Sequence, residues 1–262
     1  MEIFVKIVII LIILSLVKAL ISGGLLFIFD NPKKRGSKFE QKVAKELGKT
    51  FGTTVYANLI PNKVTDDELN KICREQSYED AVERARQEAE VDMAFVTKKG
   101  LFCIECKSKK FGSVMKGSLN QSSWDVRQIA GVDRMMNPFD QNYKHVLSFS
   151  RAGLMPTNLI YNVVITNADF VFTYCGLKRE SRPEPFINMM KNRDEMMALI
   201  GGEYKKGIRQ FKAAVDELPD LFSEEDVEGI KKELVTYTAT KKDMKNHIKH
   251  VNGMWKMKRF KV

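Results

Sequence analysis

Glu90-Val91-Asp92-Met93-Ala94-Phe95-Val96, then Thr97-Lys98-Lys99-Gly100, then Leu101-Phe102-Cys103-Ile104-Glu105-Cys106-Lys107 is the stretch on which the reading of this chain turns. Two runs of mostly apolar, β-branched and aromatic residues flank a turn that ends in glycine, the pattern of a β-hairpin. A symmetric turn has its centre between Lys98 and Lys99, which makes Asp92 and Glu105 cross-strand partners with Cβ atoms ~4.5–5.5 Å apart. Two carboxylates that close repel unless a cation or a proton lies between them. Lys107, two residues beyond Glu105, projects from the same face of the strand. Its other neighbours (Leu101, Phe102, Cys103, Ile104, Cys106) are apolar, so the charges stand where a buried strand is expected. A hard divalent cation such as Mg²⁺ or Mn²⁺ takes one or two carboxylates and keeps several waters. A lysine beside it can orient or deprotonate an attacking water, so the constellation suits metal-assisted phosphodiester hydrolysis. The bland alternative is a solvated hairpin whose Glu105 and Lys107 face water.

Outward from the hairpin, Ser37 is placed to cap a helix to about Lys49 with the apolar stripe Phe39, Val43, Ala44 and Leu47. Glu40 on that helix either approaches the metal or merely closes a Ser37–Glu40 capping box. Thr53–Ile60 reads as a strand. Asn62–Glu90 carries nine acidic and five basic residues and reads as a solvated helical insertion. Phe111–Met136 reads as loop-rich. Asn137-Pro138 is an N-cap followed by proline at the first helical position, opening a helix to about Ser150. Gln141 and His145 share one face of that helix; Gln141 is a candidate to position a water or phosphate, and His145 reads as a structural or surface residue. Leu159–Ile165 and Asp169–Tyr174 are further strands. From about Phe186 the chain reads as mostly helical, including Glu203–Leu218 and Glu224–Tyr237, the latter capped by Ser223. The order of elements predicts an α/β core with a mixed sheet.

Cys103 and Cys106 form C-x-x-C, yet strand alternation sends them to opposite faces, which argues against a shared zinc. Cys73 and Cys175 supply no second pair. Lys109, Lys110 and Lys116 follow the hairpin and are candidates to contact phosphates, with a solvated loop as the alternative. Trp124 reads either as a base-stacking platform or as a buried aromatic that pins its loop.

Ile3–Phe29 is almost wholly apolar. A helix from Ile3 to Ile21 is ~28 Å long, about one hydrocarbon core, with Lys6 and Lys18 near its two ends. The basic residues Lys33, Lys34, Arg35 and Lys38 come after it, and there is no A-x-A cleavage pattern, so residues 1–30 are expected to anchor the chain rather than be removed. Positive-inside bias then places the remainder in the cytosol, where free cysteines are at home. Over the whole chain of 262 residues the composition is ordinary, 44% hydrophobic and 29% charged, which excludes a wholly disordered or polytopic membrane protein. The excess of 43 Lys and Arg over 33 Asp and Glu points to nucleic acid or an anionic membrane surface. Lys241–Val262 concentrates eight Lys/Arg against one acid, interleaved with Trp255 and Phe260, and suits either partner.

The series Glu40, Asp92, Gly100, Glu105-Cys106-Lys107, Gly112, Trp124 and Asn137-Pro138-x-x-Gln141-Asn142-x-x-His145 resembles the nuclease-related domain (NERD), of the restriction-endonuclease-like PD-(D/E)xK superfamily. It covers roughly Gly36–Phe149. The resemblance implies a core sheet flanked by helices, assigned to residues 36–175; the chain's own pattern makes 176–262 a mostly helical extension. It implies a divalent-metal nuclease site acting on nucleic acid, DNA ahead of RNA. By that resemblance Asp92 and Glu105 are metal ligands, the Cys106 carbonyl completes the shell and Lys107 is the catalytic lysine. Many nucleases pair to cut both strands, so a homodimer is a candidate assembly. The superfamily also contains members that keep the fold and lose the chemistry. A catalytically silent nucleic-acid- or membrane-binding module is therefore the rival reading.

Overall fold

The computed structural model describes residues 32–174, 177–180, 185–188 and 196–252. In chain order the elements are α1 (Pro32–Phe51), β1 (Tyr56–Leu59), α2 (Asp66–Glu75), α3 (Tyr78–Arg86), β2 (Val91–Thr97), β3 (Gly100–Lys107), β4 (Val114–Ser118), β5 (Ser123–Gln128), β6 (Gly131–Met136) and α4 (Pro138–Arg151). A single 3₁₀ turn (Thr157–Leu159) leads to β7 (Ile160–Thr166), β8 (Asp169–Tyr174), β9 (Leu177–Glu180), β10 (Phe186–Asn188), β11 (Met197–Ile200), α5 (Tyr204–Asp216), α6 (Glu224–Tyr237) and α7 (Lys241–Val251). The strands form a six-stranded sheet, β1-β2-β3-β7-β11-β10, and a five-stranded sheet, β6-β5-β4-β8-β9. Both mix parallel and antiparallel pairs, so the expected α/β architecture with a mixed sheet is what the chain forms.

β3 lies inside the larger sheet, antiparallel to β2 and parallel to β7. Its alternation divides the core in two. Phe102, Ile104 and Cys106 join Phe39, Val43 and Leu47 of α1 and Ile208, Phe211 and Val215 of α5. Leu101 and Cys103 join Val146 and Phe149 of α4 and Val227 and Leu234 of α6. Helices thus cover both faces, which is why β3 is nearly continuously apolar. The two cysteines fall in different clusters, as strand alternation requires. Phe95, Phe102 and Tyr161 stack across three adjacent strands with centroids 4.7 Å and 4.5 Å apart, and Tyr161 also explains Gly100. That glycine has φ +146°, and a Cβ there would collide with the Tyr161 ring.

Residues 111–136 differ from the expected loop-rich segment: they contain β4, β5 and β6, a meander. These strands are short and rich in polar and small residues, so they lack the apolar alternation that marks a strand in sequence. What holds them is Trp124, packed with Phe139 and Phe172 and seated directly on Gly117, where a Cβ would overlap the indole. The stretch after residue 176 also departs from the helical expectation. β11 is inserted between β7 and β10, and among the described residues after 176 helix begins at Tyr204. β11 is four residues, Met-Ala-Leu-Ile, fully buried, and so short an apolar run carries no periodicity that separates strand from helix.

Residues 62–90 form α2 and α3, which are not simply solvated. Val64, Leu69, Ala81 and Ala85 make a small core of their own. The buried Glu88 carboxylate accepts from the Val64 amide at 2.9 Å and lies 3.2 Å from Nδ1 of both His247 and His250. His250 Nε2 meets Asp66 at 2.8 Å. Burial pushes the Glu88 carboxyl up, but the His247, Val64 and His250 hydrogen bonds outweigh it and hold the group below its usual value. The first half of the basic tail is therefore α7, docked on the acidic insertion. Trp255, Phe260 and Cys175 lie outside the described residues, as does the expected membrane anchor at residues 1–30. Among the described residues no helix is long and apolar enough to cross a membrane.

Candidate active site

The hairpin register pairs Thr97 with Gly100 and runs without a bulge to Met93 opposite Ile104. One more step sets Asp92 across from Glu105, on the face that also carries Ala94 and Cys103 toward α4. Asp92 Oδ2 accepts a hydrogen bond from the Cys106 amide at 2.8 Å, which fixes its carboxylate beside the end of β3. Glu105 is 1% exposed. Lys107 Nζ forms an ion pair with Glu105 Oε1 and donates to Gln141 Oε1 at 2.7 Å. Asp92, Glu105 and Lys107 are thereby brought together as the hairpin register leads one to expect, and Gln141 joins them from α4.

α4 is the element that closes this site. Asn137 caps it by accepting from the Phe139 amide, and its Nδ2 donates to the carbonyls of Leu119 and Gln121. One turn on, the buried Asn142 Nδ2 lies within hydrogen-bonding reach of the Cys103 and Val163 carbonyls and of Asn162 Oδ1, while Cys103 Sγ donates to its Oδ1. This network locks α4 over β3 and β7. It leaves Gln141 above Lys107 and brings His145 against Glu105.

Burial is the first cause of the unusual electrostatics. It pushes the Glu105 carboxyl up to about 8, aided by Asp92 and opposed by Lys107. Asp92 is raised by burial too, against the Cys106 amide and Lys107. His145 is pushed down to about 4 by burial and by the field of Lys107, so it is neutral. Its Nδ1 lies 3.3 Å from Glu105 Oε2, but the two are not aligned as a hydrogen bond, and both atoms are buried without a partner. A buried carboxylate oxygen without a donor costs free energy. Oε2 is thus the atom of the site that calls for a cation or a proton. The Cys106 thiol is held neutral by burial and by the Asp92 and Glu105 charges.

The donors fit a hard divalent cation. They are two carboxylates, one of them with an unpaired buried oxygen, and Mg²⁺ asks for no more protein ligands than that. Among the described residues no group of three or more His, Cys, Asp or Glu side chains is arranged to hold a metal, so a cage of the structural-zinc type is not built here.

The remaining sequence candidates are placed as follows. Glu40 sits on α1, which already runs at Pro32, so Ser37 is inside the helix and the capping box is overturned. Glu40 is raised by burial and by Asp92 and Glu90, which marks it as part of the site's field. Lys109 is partly buried, and its ammonium is disfavoured by burial, by Lys107 and by Arg35. Lys110 is exposed on the same loop. Lys116 lies on β4 in a polar depression lined by Gly117, Ser118, Gln121, Ser123, Asp125 and Thr173, none of them a member of the carboxylate site. Trp124 is no base-stacking platform: it is 1% exposed, and its Nε1 donates to the Ser118 carbonyl at 2.9 Å. One residue was not singled out as a member of this site in sequence, His145; its one signal was the i, i+4 spacing from Gln141.

The family model described as nuclease-related domain matches residues 35–167, just over half of the chain. No curated protein and no solved structure matches. The matched stretch begins at α1, ends just after β7 and contains Glu40, Asp92, Glu105, Lys107, Gln141 and His145. The hairpin, the α4 lock and this match converge: the chain belongs to the nuclease-related domain (NERD) family.

Proposed function

We propose that this protein is a metal-dependent nuclease that hydrolyses phosphodiester bonds, of DNA ahead of RNA, and that its apolar residues 3–29 hold it at a membrane with the nuclease domain on the cytosolic side. The observation that carries the catalytic reading is the orphaned, buried Oε2 of Glu105, beside Asp92 and Lys107. A solvated hairpin, the bland alternative, does not bury a carboxylate to 1% exposure with one of its two oxygens unpaired. Membrane attachment is supported by the apolar run and the basic residues that follow it.

Asp92 and Glu105 would hold Mg²⁺ or Mn²⁺, with the Cys106 carbonyl as a further ligand. The metal would supply Lewis-acid stabilisation of the phosphoryl oxygens and acidify a bound water. Lys107, pinned between Glu105 and Gln141, holds a positive charge where negative charge develops in the transition state. Gln141 fixes the direction of that ammonium and presents an amide to a water or a phosphate oxygen. Neutral His145 fills the space behind Glu105 and excludes water without competing for the cation. Lys109, short of a carboxylate partner, offers its charge to the strand beside the scissile bond.

The test is cleavage by the full-length chain, kept in a nonionic detergent, on labelled single-stranded DNA, duplex DNA and RNA. Turnover in Mg²⁺ or Mn²⁺ that stops on adding EDTA is expected. Binding without cleavage in every metal would overturn the enzyme reading in favour of the silent module.

A further inference from the structure

Two side chains stand out on the surface: Phe111 and Ile129 are each 100% exposed, and no other large apolar residue described exceeds 59%. Singly, an exposed apolar residue needs no explanation. These two, far apart in sequence, are brought to one end of the five-stranded sheet. Val114 at the start of β4 pairs with Arg127 near the end of β5, and Gln128 pairs with Gly131 across the turn that holds Ile129. Phe111 precedes Val114 by three residues and Ile129 follows Arg127 by two, so both tips lie at this end of the sheet.

That end adjoins the carboxylate site. β3 delivers Glu105 and Lys107, and the chain reaches Phe111 four residues later. The loop between is held in place, since Asn167 accepts from the Lys109 amide at 2.7 Å and donates to the Lys109 carbonyl at 2.8 Å. Gly112, at φ +76°, turns the chain directly after Phe111. Lys109 brings a cation that pairs with no carboxylate among the described residues. Exposed apolar tips beside a cation match a strand of nucleic acid, whose bases offer π-faces and whose phosphates carry the charge.

We propose that Phe111 and Ile129 stack on or wedge between unpaired bases, so that the preferred substrate is a nucleic-acid strand with single-stranded character. The inference rests on the nuclease reading for the position of the site. It does not need turnover to be tested. Stacking on one exposed aromatic accounts for about a tenfold difference in affinity.

The experiment measures binding of fluorescein-labelled oligonucleotides to the full-length chain in detergent, with Ca²⁺ present. Phe111→Ala should weaken single-strand binding by about five- to tenfold, Ile129→Ser should weaken it by less, and both should change blunt-duplex binding by less than about twofold. Thermal stability should not change, because both side chains are exposed. An oligonucleotide carrying 2-aminopurine should change its fluorescence on binding wild type and lose that response with Phe111→Ala. Unchanged affinity in both variants, or equal loss on duplex and single strand, overturns the proposal. So does quenching of Phe111→Trp by brominated lipid in proteoliposomes without quenching by oligonucleotide, which would make the tips a bilayer contact. If single strands bind through Phe111 but are never cut, the wedge stands and the nuclease reading falls. Cutting by Phe111→Ala with wild-type affinity has the opposite meaning.

Discussion

Asp92→Asn should lower cleavage at least about a thousandfold, roughly 4 kcal/mol of transition-state stabilisation, while leaving the fold intact. The substitution keeps the shape of the side chain and an oxygen that can still accept from the Cys106 amide. It removes one of the two charges facing the metal position. Lys107 keeps its contacts to Glu105 and Gln141, so the loss is not a rearrangement of the lysine. Single-turnover cleavage and a urea unfolding curve on the same preparation separate the two effects. Activity within tenfold of wild type would remove Asp92 from the chemistry. A matching loss of stability would reduce the residue to a structural role.

Glu105→Gln should abolish cleavage and, unusually for a buried substitution, stabilise the protein in the absence of metal, by about 1–3 kcal/mol. Burial and the neighbouring Asp92 charge push the Glu105 carboxyl from 4.5 up to about 8, so without metal the folded chain loses this group's charge at neutral pH, a cost that grows as pH rises from 4.5 to about 8. Glutamine is the neutral isostere. Its amide can also donate, and the unpaired His145 Nδ1 lies 3.3 Å from Glu105 Oε2. Lys107 retains Gln141 and the field of Asp92. In urea the midpoint should rise in EDTA with the slope unchanged. Saturating Mn²⁺, about a hundredfold above its Kd, should stabilise wild type by about 2.7 kcal/mol and leave the variant unmoved. A variant less stable than wild type in EDTA, or one stabilised by Mn²⁺ to the same extent, would contradict this account of the site.

The two results share a cause that was partly legible in the sequence. A symmetric turn at Lys98-Lys99 is enough to set Asp92 against Glu105, because hairpin register follows from turn length and a period of two. The cap at Asn137-Pro138 likewise announces α4 to within a residue of its observed end. His145 was not legible as a member of the site, because its role depends on where α4 lies. That is decided by Asn142 reaching Cys103, Asn162 and Val163 on two different strands. Trp124 illustrates the reverse. Its residue type suits base stacking, and only the strands hidden in residues 111–136, with Gly117 beneath the indole, show that it is core. β11 is central to the larger sheet, yet four apolar residues give no period to read. The docking of α7 on the insertion needed the positions of Glu88, Asp66 and two histidines 159 to 184 residues away, a contact that local pattern does not carry.

The central claim is that Asp92 and Glu105 share a divalent cation. It is tested most directly by anomalous diffraction from crystals of the protein soaked in Mn²⁺. The account predicts one strong peak between the two carboxylates, about 2.0–2.2 Å from an oxygen of each, with Glu105 Oε2 turned to it. A fully soaked crystal with no peak there, and with Lys107 alone neutralising Glu105, would contradict it.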